Sequence, residues 1–375
     1  MAMSPMPKGL YSPSGTPGEL IAQGDGSPQA DVAIRDQFNF TKLLHEDSLE
    51  TTIRKRQGIM FRPIARLSIL AVTAISAIPS LLYAAEGGAG FYLLGSKGSA
   101  AAVMPPAGLY FQNDLYFYSG SLGGETQLPT GGKLAIGVDG RAALTLPTLL
   151  WVAPEPMLGG SLGLSFTLPI GWKETTADLT VAGPRGGTAE ADVGDDIFTI
   201  GDPVASAMLG WSSGKLHWQV GTLINIPAGD YQDGEISNVA FHHWGADIYT
   251  AMTWLDPTTG LDLSGVVGVT FNAENPATDY RTGNEFHFEG AISKNFSEAT
   301  SAGILGYYYE QLTGDSGDGA SGPFKGKVSA LGLTFGHNFM VKERPVAARV
   351  KYFHEFDARN RAEGDVVILT LSMPI

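Results

Sequence analysis

Residues 260–272 read GLDLSGVVGVTFN, and the order of residue types in this stretch decides the fold class. Leu261, Leu263, Val267, Val269 and Phe271 fall on one side of an extended chain, with Asp262, Ser264, Thr270 and Asn272 on the other. Side chains of a strand alternate between its faces, so a period of two marks a two-faced strand and not a helix. The run is longer than the roughly five or six residues usual in soluble strands. It matches the ten or so residues that a tilted strand needs to cross a bilayer.

The alternation recurs in GLYFQNDLYFYSG (108–120), KLHWQVGTLI (215–224), NEFHFEGAIS (284–293) and VAARVKYFHEF (346–356). Divided this way, the chain predicts twelve strands, near residues 108–120, 133–152, 159–173, 197–211, 215–227, 242–254, 260–274, 282–295, 299–312, 326–339, 345–357 and 363–374. The connections between them alternate. Long or medium ones (121–132, 174–196, 228–241, 275–281, 313–325, 358–362) take turns with short ones (153–158, 212–214, 255–259, 296–298, 340–344). A soluble sandwich has no reason to do this, whereas an outer-membrane barrel keeps short turns in the periplasm and long loops outside. Hydrocarbon offers no water to backbone groups, so a spanning sheet must close on itself. The expected fold is all-β, an antiparallel up-and-down barrel of about twelve strands in the outer membrane of a Gram-negative bacterium. Trp151, Trp172, Trp211, Trp244, Trp254 and the run Tyr307, Tyr308, Tyr309 are expected to form interfacial girdles.

Composition agrees. The chain has 49 glycines, no cysteine and a net charge of −14. Glycine suits tight turns and crowded barrel walls. The acidic balance argues against nucleic acid as a partner, and the lack of cysteine excludes disulfides and thiolate chemistry. Residues 1–59 read as an over-extended gene start or disordered leader. Residues 60–84 read as a signal peptide, with Arg62 and Arg66 before an apolar run and cleavage at Ala84 or Ala85. Residues 85–107 form an N-terminal segment starting on the periplasmic side, and 108–375 the barrel. Because its apolar Phe91, Tyr92, Leu93 and Leu94 need burial and Pro105 and Pro106 forbid a spanning strand, this segment is expected to enter the lumen as a plug or gate.

The same alternation turns Asp114, Asp247, Asp262, Glu285, Glu289, Arg349, Lys351 and Glu355 inward. Charges at membrane depth must face water or each other. Glu285 and Glu289 are expected to pair across the lumen with Arg349 and Lys351. His217 and His287 belong to the same polar lining. No G-x-S-x-G or comparable motif marks a nucleophile, so no catalytic residue is expected. EADVGDD (190–196), DSGDG (315–319) and HHW (242–244) read as solvated or interfacial loops and not metal sites, and no cofactor is expected.

The stretches EGGAGFYLLGSKGSAAAVMPPAGLYFQNDLYFYSG (86–120), GDPVASAMLGW (201–211), INIPAGDY (224–231), NPATDYRTGNEFHFEGAISKNF (275–296), GILGYYYEQLTGDSGDG (303–319) and KYFHEFDARNRAEGDVVILTLSMPI (351–375) resemble, taken together, the outer-membrane proteins of the MetA pathway of phenol degradation family. The resemblance implies a barrel linked to aromatic-compound degradation that passes hydrophobic small molecules. The chain departs from common barrels at Pro374 and Ile375, where an aromatic residue usually ends the chain for the assembly machinery. The expected function is a monomeric outer-membrane channel for passive uptake of small hydrophobic or aromatic solutes. Its partners are outer-membrane lipids and the assembly machinery. The alternative is a structural or binding barrel with a plugged lumen.

Overall fold

In a computed structural model, residues 86–127, 133–182, 188–320 and 322–375 are described. The expected leader and signal segment, with Ala84 and Ala85, lie outside them. The described chain opens with a single 3-10 turn at Glu86–Gly88. Fourteen strands follow: β1 (Gly108–Gln127), β2 (Lys133–Val152), β3 (Ser161–Thr167), β4 (Ile170–Ala182), β5 (Thr188–Ile200), β6 (Val204–Ser213), β7 (Leu216–Asn225), β8 (Gly245–Asp256), β9 (Leu261–Asn272), β10 (Glu285–Asn295), β11 (Thr300–Gln311), β12 (Lys327–Val341), β13 (Arg344–Arg359) and β14 (Glu363–Pro374).

All neighbours pair antiparallel, and β1 pairs with both β2 and β14, from Tyr110↔Pro374 to Ser121↔Glu363, which closes the sheet. Both β3 and β4 pair with β2, while β6 pairs with β3 and β5 with β4, so β4 continues β3 and β6 continues β5. Each of these two pairs is therefore one crossing strand with a break. The fourteen segments make a closed barrel of twelve crossings. The breaks fall at Leu168–Pro169 and at Gly201–Asp202–Pro203. Proline has no ladder donor, and beyond the second break β6 pairs with β7, which β5 before it does not. Asp202, 2% exposed, fills the gap. Its carboxylate accepts from Asn225 Nδ2 at 3.0 Å and from the amides of Gly229, Phe241 and His242 at 2.8–2.9 Å, anchoring the 226–244 loop.

One end of the barrel carries the turns 153–160, 214–215, 257–260, 296–299 and 342–343, together with residues 107 and 375. The other carries the longer loops 226–244, 273–284 and 312–326, and the short link 360–362. Two of the expected long loops are mostly strand, because β1, β2, β4 and β5 run on beyond their neighbours. EADVGDD accordingly lies within β5, with alternate residues on opposite faces, and not in a loop.

The outward face is apolar. Ile248, Met252, Leu263, Val267, Phe288, Ile292, Ile304, Leu331, Leu333 and Phe335 are all exposed. In water such a surface would drive association, and it is the band expected against lipid. Trp151, Trp211 and Trp254 lie near the turn end and Trp244 near the loop end, as girdle residues should. Tyr307 and Tyr309 do not. Both are 4% exposed and face inward, because only alternate residues of a strand reach lipid.

Candidate functional site: the lumen wall and the segment against it

All eight charged residues singled out in the sequence stand on the inner face. Asp247, Asp262, Glu285, Glu289, Lys351 and Glu355 are at most 3% exposed, and Asp114 and Arg349 are half-buried. The expected direct pairs are absent. Among the described residues no ion pair joins Glu285 or Glu289 to Arg349 or Lys351, because backbone of residues 86–107 lies between them. Lys351 Nζ donates to the carbonyls of Gly95, Ser96 and Lys97 at 2.6, 2.7 and 2.9 Å. Arg349 donates to the Ser99 carbonyl at 3.1 Å. On the opposite side of the segment, Glu289 accepts from the Lys97 amide at 3.1 Å and Asp262 from the Ala100 amide at 2.8 Å. The hydroxyl of Thr253 accepts from the Ala102 amide at 3.1 Å. Wall cations thus take carbonyls and wall anions take amides, so an irregular backbone is satisfied inside a sheet that gives it no strand partner.

The segment runs the length of the lumen. At the loop end the Glu86 carboxylate accepts from Asn275 Nδ2 at 3.0 Å and Thr278 Oγ1 at 2.6 Å, while the Glu86 amide donates to Thr282 Oγ1 at 3.2 Å. Burial pushes this carboxyl above its ordinary value, although the bonds from Thr278 and Asn275 oppose that rise. At the turn end Gln219 Nε2 meets Met104 Sδ at 2.9 Å, and a side chain at Gly210 would collide with Met104. Residue 86 is therefore at the end opposite the expected periplasmic start. Its partners are loop residues that show no periodicity, so sequence could not reveal them.

Inside the lumen the carboxylates are served by phenols. Tyr309 donates to Glu285 at 2.5 Å, Tyr92 to Glu289 at 2.8 Å, and Tyr307 and Tyr118 to Glu355 at 2.7 and 3.1 Å. His287, beside Asp247 with 2.9 Å between Nε2 and Oδ2, stacks on the Tyr92 ring at a centroid distance of 3.6 Å. Gly268 makes room for the imidazole, since any side chain there would overlap it. Arg361, from the link between β13 and β14, lies over the Tyr309 ring at 4.5 Å. Sequence reading missed Arg361 and Met104, one on a link and the other on the irregular segment. Phe91, Tyr92 and Leu94 are buried here, Leu93 and Pro105 half-buried and Pro106 exposed.

The other half of the wall differs. Inward positions on β2, β3 and β6 include Thr148, Leu150, Ser165, Thr167, Ser206 and Met208, none of them charged and all partly accessible. A concavity of about 810 Å3 lies on the outer wall, floored by Gly265, Gly290 and Gly306 and flanked by Phe288, Ile292 and Leu331. Elsewhere, Ser212 Oγ lies 2.7 Å from His217 Nδ1 at the exposed turn end. His243 is buried beside Trp244 in the HHW stretch. Among the described residues no group of three or more His, Asp or Glu is placed to hold a metal ion.

Residues 123–371 match the model of the family described as MetA-pathway of phenol degradation. No curated protein sequence matches this chain. A crystal structure of an outer membrane channel from Pseudomonas putida F1 superposes with a TM-score of 0.56 at 14% identity, covering 74% of this chain and 98% of the other. The CymD monoaromatic hydrocarbon channel gives a TM-score of 0.37 at 8% identity over 72% and 89% of the two chains. A FadL homologue from Pseudomonas aeruginosa gives 0.32 at 11% identity over 74% and 92%. The first of these carries the fold, an outer-membrane barrel.

Proposed function

This chain belongs to the MetA-pathway of phenol degradation family, and on that premise we propose that it is an outer-membrane channel for passive uptake of small hydrophobic or aromatic solutes. One observation carries the reading. Residues 95–100 of the segment are bound to the charged half of the wall, while the uncharged inward residues Thr148, Ser165, Thr167 and Ser206 of β2, β3 and β6 stay partly accessible. A solute path follows that neutral side, with selectivity set by width and lining. The segment acts as plug and gate, with Phe91, Tyr92, Leu93 and Leu94 near its loop end and Pro105 and Pro106 at its turn end. Asp262, Glu289, Arg349 and Lys351 hold it, and with Asp114, Asp247, Glu285 and Glu355 they line the path that opens when it moves. The protein works as a monomer after removal of residues 60–84 as a signal, and it is inserted by the outer-membrane assembly machinery. It is not an enzyme. The fold shared with the Pseudomonas putida channel supports the channel reading.

Uptake of an aromatic solute into liposomes holding the purified protein tests the reading. The expected result is uptake above protein-free vesicles. A folded barrel with neither uptake nor conductance supports the second reading, a structural or binding barrel. The several hydrogen bonds between segment and wall favour that alternative.

A further inference from the structure

We propose that the socket filled by the Tyr92 side chain is a binding site for neutral phenols, with Tyr92 as a tethered stand-in for the solute. The inference rests on the channel reading above and names its solute class. The socket has two recognition elements. The flat face of His287 stacks on the ring at 3.6 Å between centroids and 18° between planes, and the Glu289 carboxylate accepts the hydroxyl at 2.8 Å. A ring with one hydroxyl donor, in line with its long axis, is what these two elements select.

Three further observations make this a site and not only packing. First, the segment around Tyr92 is held by its backbone, through the Gly95, Ser96 and Lys97 carbonyls and the Lys97 amide. The Tyr92 ring can therefore leave the socket without breaking those bonds. Second, the socket is not fully used. His287 Nδ1, on a residue 1% exposed, has no hydrogen-bond partner among the described residues, and a cavity of about 10 Å3 adjoins His287, Glu285 and Tyr92. That is about the lower limit for one water. Third, the charges choose the protonation state. Glu289 takes the hydroxyl and Asp247 lies behind His287, while the cations Arg361 and Lys351 face Glu285 and the segment carbonyls. A carboxylate that accepts from the ring's hydroxyl repels a phenolate and takes a neutral phenol, titrating near 10 like tyrosine. An aromatic without a hydroxyl leaves buried Glu289 short of a donor, which is costly.

Tyr92 competes from a tether. A short tether gives an effective concentration on the order of millimolar, so free phenol displaces the ring in the native chain only near that level. Below it the socket stays shut.

The test uses full-length protein in detergent, its fold checked by heat-modifiable gel mobility, and fluorine NMR line broadening of 4-fluorophenol and 4-fluoroanisole. Tyr92→Ala should bind 4-fluorophenol at least tenfold more tightly than wild type and prefer it about tenfold over the anisole, which cannot donate. Adding Glu289→Met should erase that preference. Tyr92→Phe keeps the ring packed and serves if the alanine variant does not fold. It should bind 4-fluorophenol several-fold more tightly than wild type. Wild-type affinity in whichever of the two folds, or equal binding of the two probes, overturns the proposal. Liposome flux separates this from the channel reading. Aromatic flux without the binding preference removes the socket and keeps the channel, and the preference without flux keeps the socket and removes the channel.

Discussion

Across the lumen, β8, β10 and β13 present Asp247, Glu285, Glu289 and Lys351, all buried, whereas β2, β3 and β6 present Thr148, Leu150, Ser165 and Ser206, all partly open. Both halves are inward faces of the same sheet, built with the same period of two. They differ in what they hold. Buried charges are costly unless each is hydrogen-bonded, and the irregular 86–107 segment supplies the amides and carbonyls that satisfy several of them. The neutral half carries no charge that needs such partners, and meets the segment through Met104 at Gly163 and Gly210. The asymmetry makes one half the anchor of the segment and, on the channel proposal, leaves the other for the solute.

Deleting residues 86–104 breaks this comparison most completely, because both halves then face open water. Single-channel conductance in planar bilayers should rise several-fold, and an unchanged conductance would remove the plug from the account. Replacing Lys351 with Met is the next largest step. It strips the shared donor from three carbonyls and should weaken segment docking by about 2 kcal/mol. The readout is faster proteolysis of the segment in the intact barrel. Changing Ser206, on the neutral half, to Lys should leave that proteolysis as in wild type while shifting the reversal potential toward anions. Equal effects of Lys351→Met and Ser206→Lys on proteolysis would erase the distinction between halves.

The smallest expected effect is at the loop end. Burial raises the Glu86 carboxyl above its ordinary value of 4.5 in the docked state, with His242 nearby working the other way. The docked form therefore binds its proton more readily than the released one. Docking gains strength below the ordinary value and loses it as pH rises through the raised one. Hydrogen-exchange protection around residue 86, corrected for intrinsic rates, should be higher below the carboxylate range than at neutral pH. In Glu86→Gln that difference should disappear.

Much of the barrel was legible because each crossing strand separates lipid from lumen, which writes polarity into alternate residues. GLDLSGVVGVTFN shows this: Leu263, Val267 and Phe271 are exposed outward, while Asp262 and Thr270 are buried inside. The inward direction of all eight charged residues followed from the same rule. Their partners did not, since alternation fixes a face and not a neighbour. Lys351 bonds to residues about 255 positions away in the chain. The strand at EADVGDD escaped notice because neither of its faces is markedly apolar.

The sequence by itself determined the strand faces, the short turns at one end and the closed barrel, because hydrocarbon enforces those features residue by residue. Only the tertiary structure decided the path of residues 86–107, the division of the lumen into a charged and a neutral half, and the socket that joins Tyr92, His287 and Glu289. These depend on which side chains meet across an enclosed space. No local period records that meeting, and the physical reason is that an irregular backbone is stabilised by partners far away in the chain.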